Sequence, residues 1–339
     1  MKMRPALATG FTLVELIITV LVIGILMIML APIMASFLTA SANNYTEQAA
    51  IDNQHVADAL VAVSRNEGYG VLAAPYSGAG YVSTIYNPND ASVIGAAFKS
   101  ALVDAGVSPV AVNDDGTQSH NVRVYQRVAG LSQVMPLYFR SGPLVTLTYD
   151  YGVIYLTRCP LADTGCRNGA GIPGASPALT AGNRNSWTAV YPDMAATFVS
   201  SLPVQTTMLS ATTRRLDRVR DALLSYFRGK QLAAQPTDTT NWYPGSGMGG
   251  KSPTANQGCR DGWYPLDTTT VLPLIGLSVG EFGKTSWGGV IEYCRDFDPA
   301  ASKSANAPPQ AAALRFNANI SAGAVPDPSV LANNVILTL

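Results

Sequence analysis

The chain has 339 residues, with 22 basic and 22 acidic side chains, a formal net charge of zero and only 13% charged residues. A sequence this poor in charge carries no electrostatic footprint for capturing nucleic acid. Its length leaves room for a membrane helix plus one large domain or two modest ones, and abundant Gly, Pro, Ser, Thr and Asn suit a loop-rich β domain outside the cytoplasm.

The first predicted element follows a short basic leader, Lys2 and Arg4. From Leu16 to Leu38 the sequence is almost unbroken apolar, and Glu15 is the only formally charged side chain between Phe11 and Thr46. About 20 residues rising ~1.5 Å each cross the ~30 Å hydrocarbon core, so the run is long enough to span a bilayer. An acid at its head costs roughly 2.5–3.5 kcal/mol in hydrocarbon unless a partner neutralises it. Lys2 and Arg4, with no basic cluster directly after the run, place the N-terminus in the cytoplasm and everything from about Ser41 outside it. The helix is expected to continue to about Arg65, because Ser41–Arg65 lacks Pro and Gly while Ala49, Val56, Leu60 and Val63 recur at helical spacing. Glu47, Gln48, Asp52, Asn53 and Asp58 form the opposing polar face, and Gly68-Tyr69-Gly70 ends the element. Such a helix has ~50 residues and a length of about 75 Å. Pro32 removes one ladder bond and is expected to kink it. Asn44-Tyr45-Thr46 spells a glycosylation sequon, but it falls on this helix and reads as helix surface.

Residues 71–120 are mixed, with a short helix predicted at Ala91–Val103. Strand signals then dominate: Val122–Val128, Leu137–Phe139, Leu144–Tyr149 and Val153–Thr157, with Asp150-Tyr151-Gly152 as the turn of a hairpin. Residues 160–186 read as an exposed loop. An amphipathic helix is predicted from about Ser210 to Arg228: Leu209, Leu216 and Leu223 share one heptad phase, Val219 and Tyr226 the companion phase, and Arg214, Arg215, Arg218 and Arg220 face elsewhere. Strands follow at Trp287–Tyr293, Leu314–Ile320 and Val335–Leu339. Helix first and antiparallel sheet after gives an α+β fold, a long membrane-spanning helix packed against a β-sheet head.

Four cysteines fit an oxidising compartment. Of the three pairings, the two sequence-local ones are preferred: Cys159–Cys166, closing a tight loop, and Cys259–Cys294, tying a Gly-rich loop to a late strand. A metal site is disfavoured, because no Cys-x-x-Cys pair exists and His55 and His120 lie far from any Cys. Gly245–Ser252 satisfies the phosphate-loop spelling letter for letter. It lacks the buried strand before and the helix after that let backbone amides cradle phosphate, and Pro253 follows at once. Asn113-Asp114-Asp115-Gly116 reads as a turn rather than a calcium loop. Neither His has a nucleophile or carboxylate partner by spacing, so no catalytic site and no cofactor are expected. Trp187, Trp242, Tyr243, Trp263 and Tyr264 in predicted loops are either sugar-stacking contacts or packing anchors, with packing preferred.

Gly10-Phe11-Thr12-Leu13-Val14-Glu15-Leu16 resembles the class III leader of type IV pilins and pseudopilins. The resemblance covers about the first 40 residues. It implies cleavage by a prepilin peptidase after Gly10, N-methylation of the new terminus Phe11, and an assembly role for Glu15, the fifth residue counted from Phe11. Pro32 falls where many pilins carry a helix-loosening proline. The physics agrees: cleavage frees an α-amino group near Glu15, and on stacking of helices one subunit's amine neutralises a neighbour's carboxylate, fixing register because misalignment leaves a charge unpaired. A secretory signal peptide ends in small residues after its apolar core, whereas here the core follows the cut, and a plain signal anchor has no need of Glu15. The implied organisation is a leader at 1–10, a long helix at 11–66 with 11–38 in membrane or filament core, a first α+β lobe at 67–200 and a second at 201–339 with a disulfide loop. The implied partners are other pilin subunits, the peptidase and the bacterial inner membrane, the C-terminus being periplasmic before assembly and extracellular after it. The chain's bulk points to a minor pilin. The alternatives are a pilus-tip adhesin that binds a surface ligand or glycan, and a type II secretion pseudopilin. Leu272-Pro273, Gly276-Leu277, Trp287-Gly288 and Tyr293 are also similar in order to the C-terminal part of some pseudopilins, a resemblance that implies two tandem α+β lobes divided near residues 195–208. Ser286 stands where that pattern has an acid before Trp-Gly, so no calcium or acid role is carried over.

Overall fold

A computed structural model of the chain describes residues 13–66, 68–74, 83–84, 100–108, 121–138, 141–160, 177–189, 196–245, 256–304 and 307–339. The fold is α+β. Helix α1, Leu13–Asn66, runs 54 residues, about 80 Å at 1.5 Å per residue. It is continuous through Pro32. It ends at a turn in which Gly70 N donates to Ser64 O at 2.8 Å and Tyr69 and Gly70 both adopt positive φ. A side chain at Gly70 would meet the Gln205 amide, so this position needs glycine for space as well as for conformation.

Two strands dominate the head: β2, Asn121–Tyr138, of 18 residues and β3, Ser141–Pro160, of 20. They form an antiparallel ribbon from Asn121↔Pro160 to Tyr138↔Ser141, about 60 Å long at ~3.3 Å per residue. This corrects the hairpin expected at Asp150-Tyr151-Gly152, which lies in the middle of β3; the chain reverses between Tyr138 and Ser141 instead. Turn chemistry misled there because Asp150 is buried and its carboxylate is occupied by backbone donors from neighbouring segments. A bulge between Val128 and Leu131 bends β2 opposite.

Strand β1, Ser83–Thr84, pairs with β2. One edge of β3 is shared in series by β4, Ala196–Ser200, antiparallel at Tyr151–Tyr155, and by β8, Asn319–Ile320, parallel at Thr146–Leu147. A second antiparallel sheet has the order β5–β6–β7–β9, formed by Tyr264–Pro265, Glu292–Cys294, Ala313–Asn317 and Asn334–Thr338. The strand expected at Trp287–Tyr293 is therefore mostly a turn, with only Glu292–Cys294 in the sheet: Gly288 N donates to Thr285 O, closing the chain back on itself. Leu314–Ile320 splits into β7 and β8 at Ala318, whose N–H donates to Asn333 O and whose carbonyl accepts from Thr146 N. Of the helix expected at Ala91–Val103, helical residues are described at 100–104.

Helix α2 spans Leu202–Ala233, longer at both ends than the predicted Ser210–Arg228. The missing first turns contain Pro203, tolerated there because a first-turn residue needs no N–H partner. Thr206 and Thr207 were also poor helix signals, yet both hydroxyls donate back to Pro203 O at 2.9 Å. Its buried stripe, Leu209, Thr212, Leu216, Val219 and Leu223, follows the expected heptad phases.

Alternation along β3 assigns its neighbours. Ile154 faces α1, joining Val56, Leu60, Tyr125 and Val199 in one core. Val153 and Tyr155 lie on the other face with Leu179 and Trp187. Nearer the ribbon's tip, Val145 and Leu147 enter the largest core, with Leu216, Leu223, Trp287, Tyr293, Leu314 and Phe316. That core crosses the 195–208 boundary: α2 packs between the tip of the first sheet and the second sheet.

Candidate assembly surface

Helix α1 has two physically distinct halves. From Val14 to Leu38 its large apolar side chains are bare, Ile28 being 76% exposed and Phe37 72%. A bare apolar stripe this long on one helix is far beyond what an isolated soluble surface tolerates. By length and composition the helix can cross a membrane. From Ala49 onward one face is buried: Ala49, Asn53, Val56, Leu60 and Ser64 follow three- and four-residue steps. Asn53, expected on the polar face, is fully buried, and Arg123 of β2 donates to it through Nε at 2.7 Å while Nη2 pairs with Asp52 at 3.3 Å. The structure thus clamps the polar-to-apolar seam of α1 with one guanidinium.

The junction at the end of α1 is built around two buried polar side chains that pattern reading passed over. Asp150 accepts from Leu72 N at 3.0 Å, from the bulge Gly130 N at 3.0 Å and from Arg127 Nη1 at 3.3 Å. Its own N–H donates to Ser201 Oγ, and Ser201 N returns a bond to Asp150 O. Gln205, in the first turns of α2, donates to the Tyr69 and Gly70 carbonyls and accepts from Trp287 Nε1 at 2.6 Å. Together they join the turn after α1 to the ribbon, to α2 and to the Trp287 turn. The available signal was an Asp flanked by strand-forming residues on both sides, which is more economical as a buried acceptor than as a turn.

Cys259–Cys294, 35 residues apart and one of the two bridges expected, ties the segment before β5 to β6. The segment carrying Cys259 covers the outer face of the second sheet. There Arg315 pairs with Glu292 and lies over the Trp263 ring, 4.4 Å from its centroid. Burial holds the Arg315 guanidinium below its ordinary pKa, and Glu292 opposes that shift. Nearby, Asp298 is held below the usual carboxylate range first by the Lys303 N–H, with Arg260 and Ser302 also donating. Ser286 N donates to Thr212 Oγ1, tying the Trp287 turn to α2.

Gly10, Phe11, Cys166, Asn113–Gly116, His120 and most of Gly245–Ser252 lie outside the described residues. Glu15 is placed by its backbone in the first turn of α1, and Cys159 by its backbone near the end of β3. Of the loop aromatics, Trp187, Tyr243 and Tyr264 are buried: Trp187 against Tyr155 at 5.2 Å, Tyr243 on Phe227 at 4.5 Å, Tyr264 on Tyr293 at 5.4 Å. Trp242 and Trp263 are half-buried. Packing accounts for these rings.

No protein-family model, curated protein or solved structure matches the chain.

Proposed function

We propose that the protein is a filament subunit of the type IV pilin superfamily, a large minor pilin, assembled through the apolar half of α1 while the head is carried outside. The observation that supports this most is the division of one continuous helix: Val14–Leu38 projects bare and apolar, and Ala49–Ser64 is built into the head's core. A plain anchor needs only the first half. A subunit that stacks helices needs a rigid connection from the stacked segment to the head, and the Asp150 and Gln205 junction supplies one. Glu15 at the head of the apolar run is then the residue that sets register, neutralised by the amine freed on Phe11 of a neighbour. The burial of Trp187, Tyr243 and Tyr264 favours assembly over ligand contact through these rings.

The test is processing and incorporation of the full chain in its own host. Gly10→Ser is expected to leave uncleaved precursor in the inner membrane. Glu15→Ala is expected to be inserted and cleaved but to enter filaments at least about tenfold less, the scale of one unpaired intramembrane charge contact. Mass spectrometry of mature chains still starting at Met1, or normal incorporation of Glu15→Ala, would overturn the proposal.

A further inference from the structure

The chain is neutral overall, yet its two long helices are not. Helix α2 carries six basic residues against Asp217 and Asp221, a formal +4, and α1 carries four acidic residues against Arg65, a formal −3. The outward stripe of α2 includes Arg214, Arg218, Asp221, Ser225 and Arg228, all exposed. Among the described residues Arg214, Arg218 and Arg228 have no ion-pair partner, while Asp221 is flanked by Arg220 at 3.5 Å. The outward stripe of α1 in the head region runs through Glu47, Gln48, Ile51, His55 and Asp58, again all exposed. Gln54 donates to Asp58 at 2.9 Å along the same face. The buried face of each helix is turned to its own core, and both stripes are exposed among the described residues.

The two stripes match in spacing as well as sign when set antiparallel. On α2 the order Arg218, Asp221, Arg228 advances by three and then seven residues. On α1 the order Asp58, His55, Glu47 retreats by three and then eight. With Arg218 opposite Asp58, Asp221 falls opposite the His55 imidazole, Ser225 opposite Ile51, and Arg228 opposite Gln48 and Glu47. The outer charges span about 15 Å on either helix. One exposed pair contributes little, but an ordered series of opposed charges selects a register and disfavours others by juxtaposing like charges.

We propose that α2 of one copy docks antiparallel on the head-proximal half of α1 of a second copy, through this charge series. The contact joins two different surfaces of the same chain. Combined with the stacking of α1 that the filament reading requires, the contact is head-to-tail, and repeated copies then extend as an open helical array. The inference rests on the filament reading for the stacking of copies, and it names the head-to-head contact that the reading leaves open.

The experiment uses two differently tagged full-length copies expressed together in the native membrane, with a photo-crosslinking residue in place of Ser225 of one copy. The expected product is a heterodimer whose cross-link maps to α1 near Ile51 of the other tag. Arg218→Glu with Arg228→Glu in the first copy is expected to lower its yield about tenfold, the effect of reversing two pairs. Adding Glu47→Arg with Asp58→Arg in the second copy is expected to restore it. Unchanged yield on reversal, loss without restoration, or cross-links to lipid alone would overturn the pairing. Leader cleavage is read in the same samples. Cleaved chains without the cross-link overturn the pairing and leave the leader reading intact, whereas uncleaved chains that still cross-link near Ile51 support the pairing independently of it.

Discussion

Asp150 shows how much one side chain organises here. It is buried in the middle of β3, and its carboxylate takes two backbone N–H groups from segments far away in sequence. Removing it leaves those donors without an acceptor and Arg127 without its ion-pair partner, the guanidinium keeping only its hydrogen bond to Leu72 O. Loss of one member of a buried pair costs about 3–5 kcal/mol, and Arg127 retains some access to water, so Asp150→Ala is expected near the low end. Asp150→Asn keeps one acceptor oxygen and is expected to lose less. Urea unfolding in detergent measures both; an unchanged midpoint for the alanine variant would show that the junction does not depend on this carboxylate. Asp150 was legible as a residue with β neighbours on both sides but not as buried, because its partners Leu72, Gly130 and Ser201 come together only in the fold.

At the scale of elements, α1 is one helix whose two halves stand in different surroundings. Leu60 is fully buried against Tyr125, Ile154 and Val199, whereas Leu26 is bare. Leu60→Ala is expected to destabilise the head by about 2–5 kcal/mol, the range for emptying a well-packed aliphatic site. Leu26→Ala is expected to change head stability by no more than about 0.5 kcal/mol. Head unfolding followed by aromatic circular dichroism checks both, and equal losses would contradict the division. The helical period was readable for Val56 and Leu60 because a single buried face imposes it. It misassigned Asn53, since a polar side chain on the boundary is buried or exposed according to what sits opposite, and Arg123 lies on a strand 70 residues away.

On the scale of the whole molecule, the two sheets meet in a common core. Val145 and Leu147, from the ribbon of the first sheet, pack with α2 and with Trp287 and Leu314 of the second half. Strand β8 returns from the C-terminal part of the chain to pair with β3. Leu147→Ala is therefore expected to weaken both sheets together by about 2–5 kcal/mol. Single-tryptophan variants retaining Trp187 for the first sheet or Trp263 for the second provide the two readouts. Separated transitions, with only one of them shifted, would mean that the halves unfold independently.

Sequence alone determined the features that depend on local chemistry: the apolar run with Glu15 at its head, the helix continuing past it to a glycine-marked end, and the heptad stripe of α2. Each is a short-range pattern in which the residue's own type decides the outcome. Tertiary structure decided that Asp150 is an internal acceptor rather than a turn, that Trp287 sits in a turn rather than a strand, that the core crosses the middle of the chain, and that Cys259 pairs with Cys294. These depend on which distant donors, rings and charges become neighbours, and burial is a property of neighbours rather than of a residue.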